Sequence, residues 1–177
     1  MLFRSFNEEI HAASSVRKVS SYQLNGFGSP GIGPMGFVDG DEVRLNKRLQ
    51  RANVIAPGEQ LPRVDIIPVS IDASPALLEA AVASGAKGLV IDAIGRGHVP
   101  PSWIEPLTAV LNAGIPVVVA SSTHWGRIAE AYEYSGSLAE QVALGALKAN
   151  HLNARKARLR LMCALSCNMP IDQSILS

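Results

Sequence analysis

Gly88-Leu-Val-Ile-Asp-Ala93 is a short run of mostly aliphatic residues that opens into Ile94-Gly-Arg-Gly-His-Val-Pro-Pro101. A strand covered on both faces reads this way, because neither face needs a regular polar residue. Val64-Asp-Ile-Ile-Pro-Val-Ser-Ile71 and Ile115-Pro-Val-Val-Val-Ala120 repeat the pattern on either side. Helical patterns lie between them. Ser74 and Pro75 precede Ala76, Leu77, Ala80, Ala81 and Val82, with Gly85 as the stop, and Ser102 precedes Trp103, Ile104, Leu107, Val110 and Leu111, with Gly114 as the stop. Strands alternating with helices at this spacing close compactly only through right-handed crossovers into a parallel sheet. The expected fold is α/β: a three-layer α/β/α unit on a short parallel sheet of about four strands, Rossmann- or flavodoxin-like, preceded by an N-terminal β-hairpin extension.

Two later segments complete the unit. Ser137 is placed to cap a helix over Leu138 to Leu144, and Ala146 to Ala149 reads either as a short strand or as a continuation of that helix. Asn153 caps a final helix in which Ala157, Leu161, Met162, Ala164 and Leu165 point inward, while Arg155, Lys156, Arg158 and Arg160 are expected on a solvated face. The first sixty residues differ. Gly26-Phe-Gly-Ser-Pro-Gly-Ile-Gly-Pro-Met-Gly36 excludes a helix, and Asp39-Gly40 between Phe37-Val38 and Val43 reads as a two-residue hairpin turn. The basic stretch Arg44 to Arg51 and Pro57-Gly58 read as a connector, with a nucleic-acid patch as the sharper and less favoured alternative. The domains expected are 1–45 with the hairpin, 46–61 as linker and 62–177 as the α/β unit.

Composition excludes several classes. Of the 177 residues, 47% are hydrophobic and 18% charged, too apolar for a disordered chain, while every hydrophobic run is broken before it could span a bilayer. A net charge of +1 gives no global field toward nucleic acid or anionic membrane, so neither is expected as a partner. Cys163 and Cys167 form no disulfide framework or metal site in isolation, and the start of the chain carries no signal-like apolar stretch, so a cytoplasmic location is the default.

The chemistry-bearing residues gather on one edge. Gly95, Arg96, Gly97 and His98 follow a strand and lead into a helix, which is where parallel sheets bind ligands. The glycines let backbone approach a ligand and Arg96 or His98 can pair with a carboxylate, although a plain strand-to-helix turn fits the spacing equally well. Ser121, Ser122, Thr123, His124 and Arg127 fall on the same edge. Two literal G-x-G-x-x-G matches, Gly26/Gly28/Gly31 and Gly31/Gly33/Gly36, are blocked from opening a helix by Pro30 and Pro34, so no cofactor is expected. Asp92 and His124 lack the G-x-S-x-G elbow of a hydrolase triad, and His11 and His151 show no metal-ligand spacing.

Taken together, Phe6-Asn-Glu-Glu-Ile-His-Ala-Ala13, Ser29-Pro-Gly-Ile-Gly-Pro-Met-Gly-Phe-Val38, Leu61-Pro-Arg-Val64, the Gly88–Pro101 stretch and Lys156-Ala-Arg-Leu-Arg-Leu-Met-Cys-Ala-Leu165 resemble segments of the bacterial L-asparaginase and glutaminase-asparaginase family. The resemblance runs from about Phe6 to Leu165. It implies that the chain holds the C-terminal domain and only the last part of the N-terminal one. Family members are about twice as long, and their nucleophilic threonine, mobile-loop tyrosine and Thr-Asp-Lys group all lie in the part of the N-terminal domain that would precede this sequence. The two threonines present are Thr108 and Thr123. No catalytic residue is therefore expected within this sequence, and the polypeptide alone is expected to be inactive.

In the family, a neighbouring subunit's G-x-G-N loop places an asparagine near the substrate's amino group. His98 stands where that asparagine would be, Thr123 stands where the family often has Arg after paired serines, and Glu133 in Tyr132-Glu-Tyr-Ser135 is a counterpart for the neighbour's acidic residue. The resemblance thus implies a substrate-binding set, contributed to a neighbouring subunit, of Gly95, Arg96, Gly97, His98 and Glu133, with no metal. The partners implied are the absent N-terminal domain or a full-length subunit, homo-oligomer formation through Leu2, Phe3, Phe6, Phe37 and Val38, and an amino-acid substrate in the complete site. The alternative reading is a non-catalytic assembly or small-ligand-binding module.

Overall fold

A computed structural model describes residues 3–48 and 54–176. The chain forms two compact units, Met1–Ala52 and Asn53–Ser177. The first is built on an antiparallel sheet of β1 (Phe3–Phe6), β2 (Glu9–Ala12), β5 (Gly36–Asp39) and β6 (Glu42–Leu45), in the order β1-β2-β5-β6. It also carries a two-stranded ladder of β3 (Arg17–Lys18) and β4 (Phe27–Gly28).

Both hairpins of that sheet turn on two residues. Phe6 pairs with Glu9, which leaves Asn7 and Glu8 in the turn, both at positive φ (48° and 63°), the type I′ geometry that follows strand twist. In the second hairpin Asp39 pairs with Glu42, so the turn residues are Gly40 and Asp41 rather than Asp39 and Gly40. Only Gly40 has positive φ, as a II′ turn requires at its first position, and this moves the turn one residue later than the Asp-Gly dipeptide suggests.

His11, 1% exposed, is structural. Its Nδ1 lies 3.0 Å from Ser29 Oγ and its Nε2 3.0 Å from a carboxylate oxygen of Glu9, while Ser15 Oγ donates to Ser29 Oγ at 3.1 Å. Phe6 and Phe37 keep about two-fifths of their surface exposed, and all four residues of β6 are exposed, Val43 and Leu45 among them. Leu2, expected on the same surface, lies outside the described residues, as do residues 49–53 of the expected connector.

In the second unit the parallel sheet is β7 (Val64–Pro68), β8 (Gly88–Ala93), β9 (Val117–Ser121) and β10 (Leu147–Lys148), ordered β10-β9-β8-β7. Leu89, Val90, Ile91 and Val117 to Ala120 are fully buried, as the aliphatic runs require. Strand order follows chain order without reversal. Successive right-handed crossovers in one direction place α1 (Ala76–Ala83), α2 (Ile104–Asn112) and α3 (Leu138–Ala143) on one face. The last helix, α4 (Ala154–Ser166), crosses the other face against β7, β8 and β9. Gly88 permits that packing, since a Cβ there would stand 2.9 Å from Leu161 Cδ2.

Local departures from the sequence reading have simple causes. β7 ends at Pro68, short of Ile71, which is 88% exposed; proline supplies no amide to a ladder and is tolerated because β7 is an edge strand. Ser102 precedes α2 without capping it and lies inside a 3-10 turn, Pro101–Trp103, whose Trp103 is buried and donates from Nε1 to the Ala73 carbonyl at 2.6 Å. Ser137 and Asn153 cap as expected, accepting from the amides of Glu140 and Lys156. The arginines of α4 are not all solvated. Arg158 Nε donates to the Val64 carbonyl of β7 at 2.6 Å and Arg160 Nε to the Ile175 carbonyl in a 3-10 turn, Gln173–Leu176, so both half-buried side chains reach past the helix to backbone of other elements. Both cysteines are free.

Candidate functional site

The carboxyl ends of β8 and β9 carry the candidate site. Beyond Ala93 the chain doubles back within five residues. Ile94 and His98 exchange amide-to-carbonyl bonds of 3.0 and 2.9 Å, and the Gly97 amide donates to the Ile94 carbonyl at 3.0 Å. So tight a return requires positive φ, which Gly95 (55°) and Gly97 (109°) supply. Gly97 is buried with its Cα facing Leu138, where a Cβ would come within 3.2 Å of Cδ1. Arg96, between the glycines, projects into solvent.

The loop after β9 is tied to this turn. Ser121 Oγ donates to the Gly95 carbonyl at 2.5 Å, and the Ala129 amide donates to the Arg96 carbonyl at 3.2 Å. Thr123 Oγ1 donates to the Trp125 carbonyl at 3.0 Å, while its amide donates to Ser121 Oγ at 3.1 Å, so Thr123 shapes its own turn. Ser122, His124 and Arg127 are exposed on the same edge.

His98 sits among aromatic rings. Its ring centroid is 5.4 Å from Tyr132 at an interplanar angle of 65°, and 5.2 Å from Tyr134 at 40°, with the two tyrosines 5.8 Å apart. These are edge and tilted packings that add to simple area burial. His98 Nδ1 is buried and takes no hydrogen bond from the described residues. Burial holds the His98 pKa below its usual 6.5, so the ring is neutral at pH 7. Glu133 lies between the two tyrosines, exposed, and no hydrogen bond or ion pair joins it to the 94–98 loop among the described residues.

Of the residues the sequence singled out, the structure therefore brings Gly95, Arg96, Gly97 and His98 into one turn and lays the Glu133 segment alongside His98. The sequence reading missed the two tyrosines as partners of His98. It also missed Gln141, fully buried in α3, whose Nε2 donates to the carbonyls of Gly97, Gly136 and Ser137 at 2.8, 3.2 and 3.2 Å. The available signal was a glutamine next to Leu138 and Val142 in a short helix whose other polar residue is Glu140.

Elsewhere, a groove of about 350 Å³ runs beside β7, lined by Arg63, Asp65, Ile67, Leu77 and Ser84 among others. Arg63 holds the Asp65 carboxylate at 2.6–3.0 Å and the Ser84 carbonyl at 3.1 Å, so these polar groups already satisfy one another. Among the described residues no group of three His, Cys, Asp or Glu side chains is placed to hold a metal ion, and no helix is long and apolar enough to cross a membrane.

The tyrosines make a testable contribution. Removing either ring, as in Tyr132→Ala or Tyr134→Ala, is expected to bring the His98 titration midpoint up toward 6.5, followed by the ring-proton shifts in NMR. The sign for stability follows. Above pH 6.5 His98 is neutral both folded and unfolded; as pH falls below that value the unfolded chain takes up the proton first and stability declines. His151, lowered by burial and then by Arg127, Lys156 and Arg160, acts in the same direction.

Residues 63–174 match the family model for the glutaminase/asparaginase C-terminal domain, and residues 3–51 that for the asparaginase N-terminal region. This chain belongs to the glutaminase/asparaginase family. The L-asparaginase of Bacillus licheniformis is 33% identical over 161 residues, covering 91% of this chain and 50% of the relative. A probable L-asparaginase of Deinococcus radiodurans is 35% identical over 165 residues, with the same two coverages. The L-asparaginase 2 of Bacillus subtilis is 29% identical over 166 residues, covering 90% of this chain and 42% of that relative. The chain spans about half the length of the family's curated asparaginases that it matches.

Proposed function

We propose that this chain supplies the C-terminal wall of an L-asparaginase-type amidohydrolase site, which converts L-asparagine to L-aspartate and ammonia. The observation that carries the proposal is the double-glycine return at the end of β8, which holds Arg96 in solvent and His98 beside two tyrosines, in a chain whose residues 63–174 match the asparaginase C-terminal domain. In this reading Gly95 and Gly97 let the loop come close to a bound amino acid. Arg96 pairs with its carboxylate. His98, neutral at pH 7, accepts a hydrogen bond from its ammonium group, and Glu133 adds an opposite charge nearby.

The cleavage chemistry comes from elsewhere. Amide hydrolysis by acyl transfer needs an activated nucleophile beside oxyanion donors. Thr108 Oγ1 donates at 2.7 Å to the Ile104 carbonyl one turn back in α2, and Thr123 is engaged in its own turn. A polypeptide of these residues is therefore inactive until a polypeptide carrying the rest of an N-terminal domain, or a neighbouring full-length subunit, completes the site. The half-exposed Phe6 and Phe37 are then covered by another chain, and static light scattering is expected to find more than one chain per particle at high concentration. The direct test is ammonia release from L-asparagine by the purified polypeptide, alone and mixed with the N-terminal half of a family relative. Activity alone would refute the proposal.

A further inference from the structure

We infer that Gln141 is a positioning residue that fixes His98 and Tyr134 with respect to each other; its functional meaning rests on the proposed reading of the 94–98 loop as a substrate wall. The Gln141 side chain is fully buried, and its amide nitrogen has two hydrogens facing three carbonyl oxygens, those of Gly97, Gly136 and Ser137. The assignment of nitrogen and oxygen follows from this network, since the opposite orientation would press an oxygen against three others.

The acceptors belong to two different segments. Gly136 O also receives the Val99 amide at 2.9 Å, and Ser137 O the Gln141 backbone amide at 3.2 Å. Gly97 O has no other donor among the described residues. That carbonyl shares its peptide plane with the His98 amide, which donates to Ile94 O at 2.9 Å. Holding Gly97 O therefore sets the plane from which the imidazole projects. The bond to Gly136 O holds the segment just after Tyr134, whose ring lies 5.2 Å from that of His98. One side chain grips both sides of the contact.

The other end of the amide supports a geometric role over a purely packing one. Gln141 Oε1 is buried and accepts no hydrogen bond from the described residues. An unpaired buried acceptor opposes folding, so for packing alone an apolar side chain of the same length would serve better. Glutamine is the worse filler and the better clamp.

The test uses the chain as it stands and needs no turnover. Gln141→Met keeps length and volume and removes the donors, and Gln141→Leu is a second apolar variant should the first fail to fold. Hydrogen exchange of the Gly97 and His98 amides is expected to quicken about tenfold or more relative to Leu89 and Ile91 in β8, as local opening does. The His98 titration midpoint is expected to move toward 6.5. Unchanged exchange and midpoint would overturn the inference, and so would a uniform rise across β8, which reports lost stability and not lost position. In enzyme completed with an N-terminal half, the same variant is expected to raise KM at least about fivefold (~1 kcal/mol) with kcat within about twofold. Failure of that complex to turn over would count against the proposed function, while the exchange result decides the role of Gln141 by itself.

Discussion

Ammonia release from L-asparagine by the purified 177-residue polypeptide is expected to match the buffer blank, and to rise to a turnover on the order of 1–1,000 per second when a competent N-terminal half is supplied. The size of the change follows from what each part contributes. Enzymes lower barriers by about 8–23 kcal/mol, and in acyl transfer most of that comes from an activated nucleophile and preorganised oxyanion donors. In the proposed reading the wall supplies neither, and the hydroxyls of Thr108 and Thr123 are held by backbone carbonyls. In that reading the wall adds binding. A hydrogen bond to a charged group is worth about 1.5–3 kcal/mol. In the completed enzyme, His98→Ala is accordingly expected to raise KM by roughly ten- to a hundredfold with a smaller effect on kcat. Affinity should also fall once pH drops below the lowered His98 pKa, because an imidazolium repels an ammonium. Steady-state kinetics across pH 5–8 on wild type and His98→Ala checks both statements. Turnover by the polypeptide alone, or a KM indifferent to His98, would sink the assignment.

What the sequence made legible depended on how local the determining physics is. β8 was read to the residue because Gly88–Ala93 is a mostly aliphatic run, with Asp92 its one charged residue, between Gly85 and Gly95. The caps Ser137 and Asn153 were equally plain, since a capping oxygen bonds an amide only three residues away. The turn at Gly40-Asp41 was one residue off, because the Asp-Gly dipeptide fits a I′ turn while the register of Phe37 and Val38 against β6 selects II′. Arg158 and Arg160 were misplaced for a different reason. Their charge reads as solvent-facing, but α4 lies across the sheet and their stems are long enough to reach carbonyls of Val64 and Ile175. In the candidate site, the edge on which His98 sits was legible from strand-then-loop order. The tyrosines over it and the clamp beneath it were not, since both depend on the path of the 121–137 segment, which no periodicity encodes. The family resemblance was carried by short segments, and the two family matches span all of them except Leu61 and Pro62.

Gly136→Ala is expected to be the most damaging single methyl that can be added near the site. Gly136 has φ of +88°, where an L side chain is strained by about 1–3 kcal/mol. Its added Cβ would also collide with the Val99 carbonyl oxygen. That oxygen cannot swing away cheaply. Val99 is buried, its amide donates to Gly136 O at 2.9 Å, and the Gly136 amide in turn donates at 2.7 Å to Glu140, whose own amide is capped by Ser137. Relieving the clash means pulling the 136–137 corner off the 97–99 segment, at about 1–3 kcal/mol more by analogy with overpacked cores. Together about 2–6 kcal/mol corresponds to a fall in Tm of roughly 4–24 °C for a chain of this size. Gly85→Ala separates the two causes. Gly85, just past α1, has the same φ of +88°, but a Cβ added there would meet nothing within 4 Å, so it carries the backbone strain without the clash. Thermal melts are expected to show Gly136→Ala falling well below Gly85→Ala, and only the former should release the His98 titration toward 6.5. Equal losses in the two variants would mean that the contact with Val99 yields easily, and that the two loops are not held as one corner.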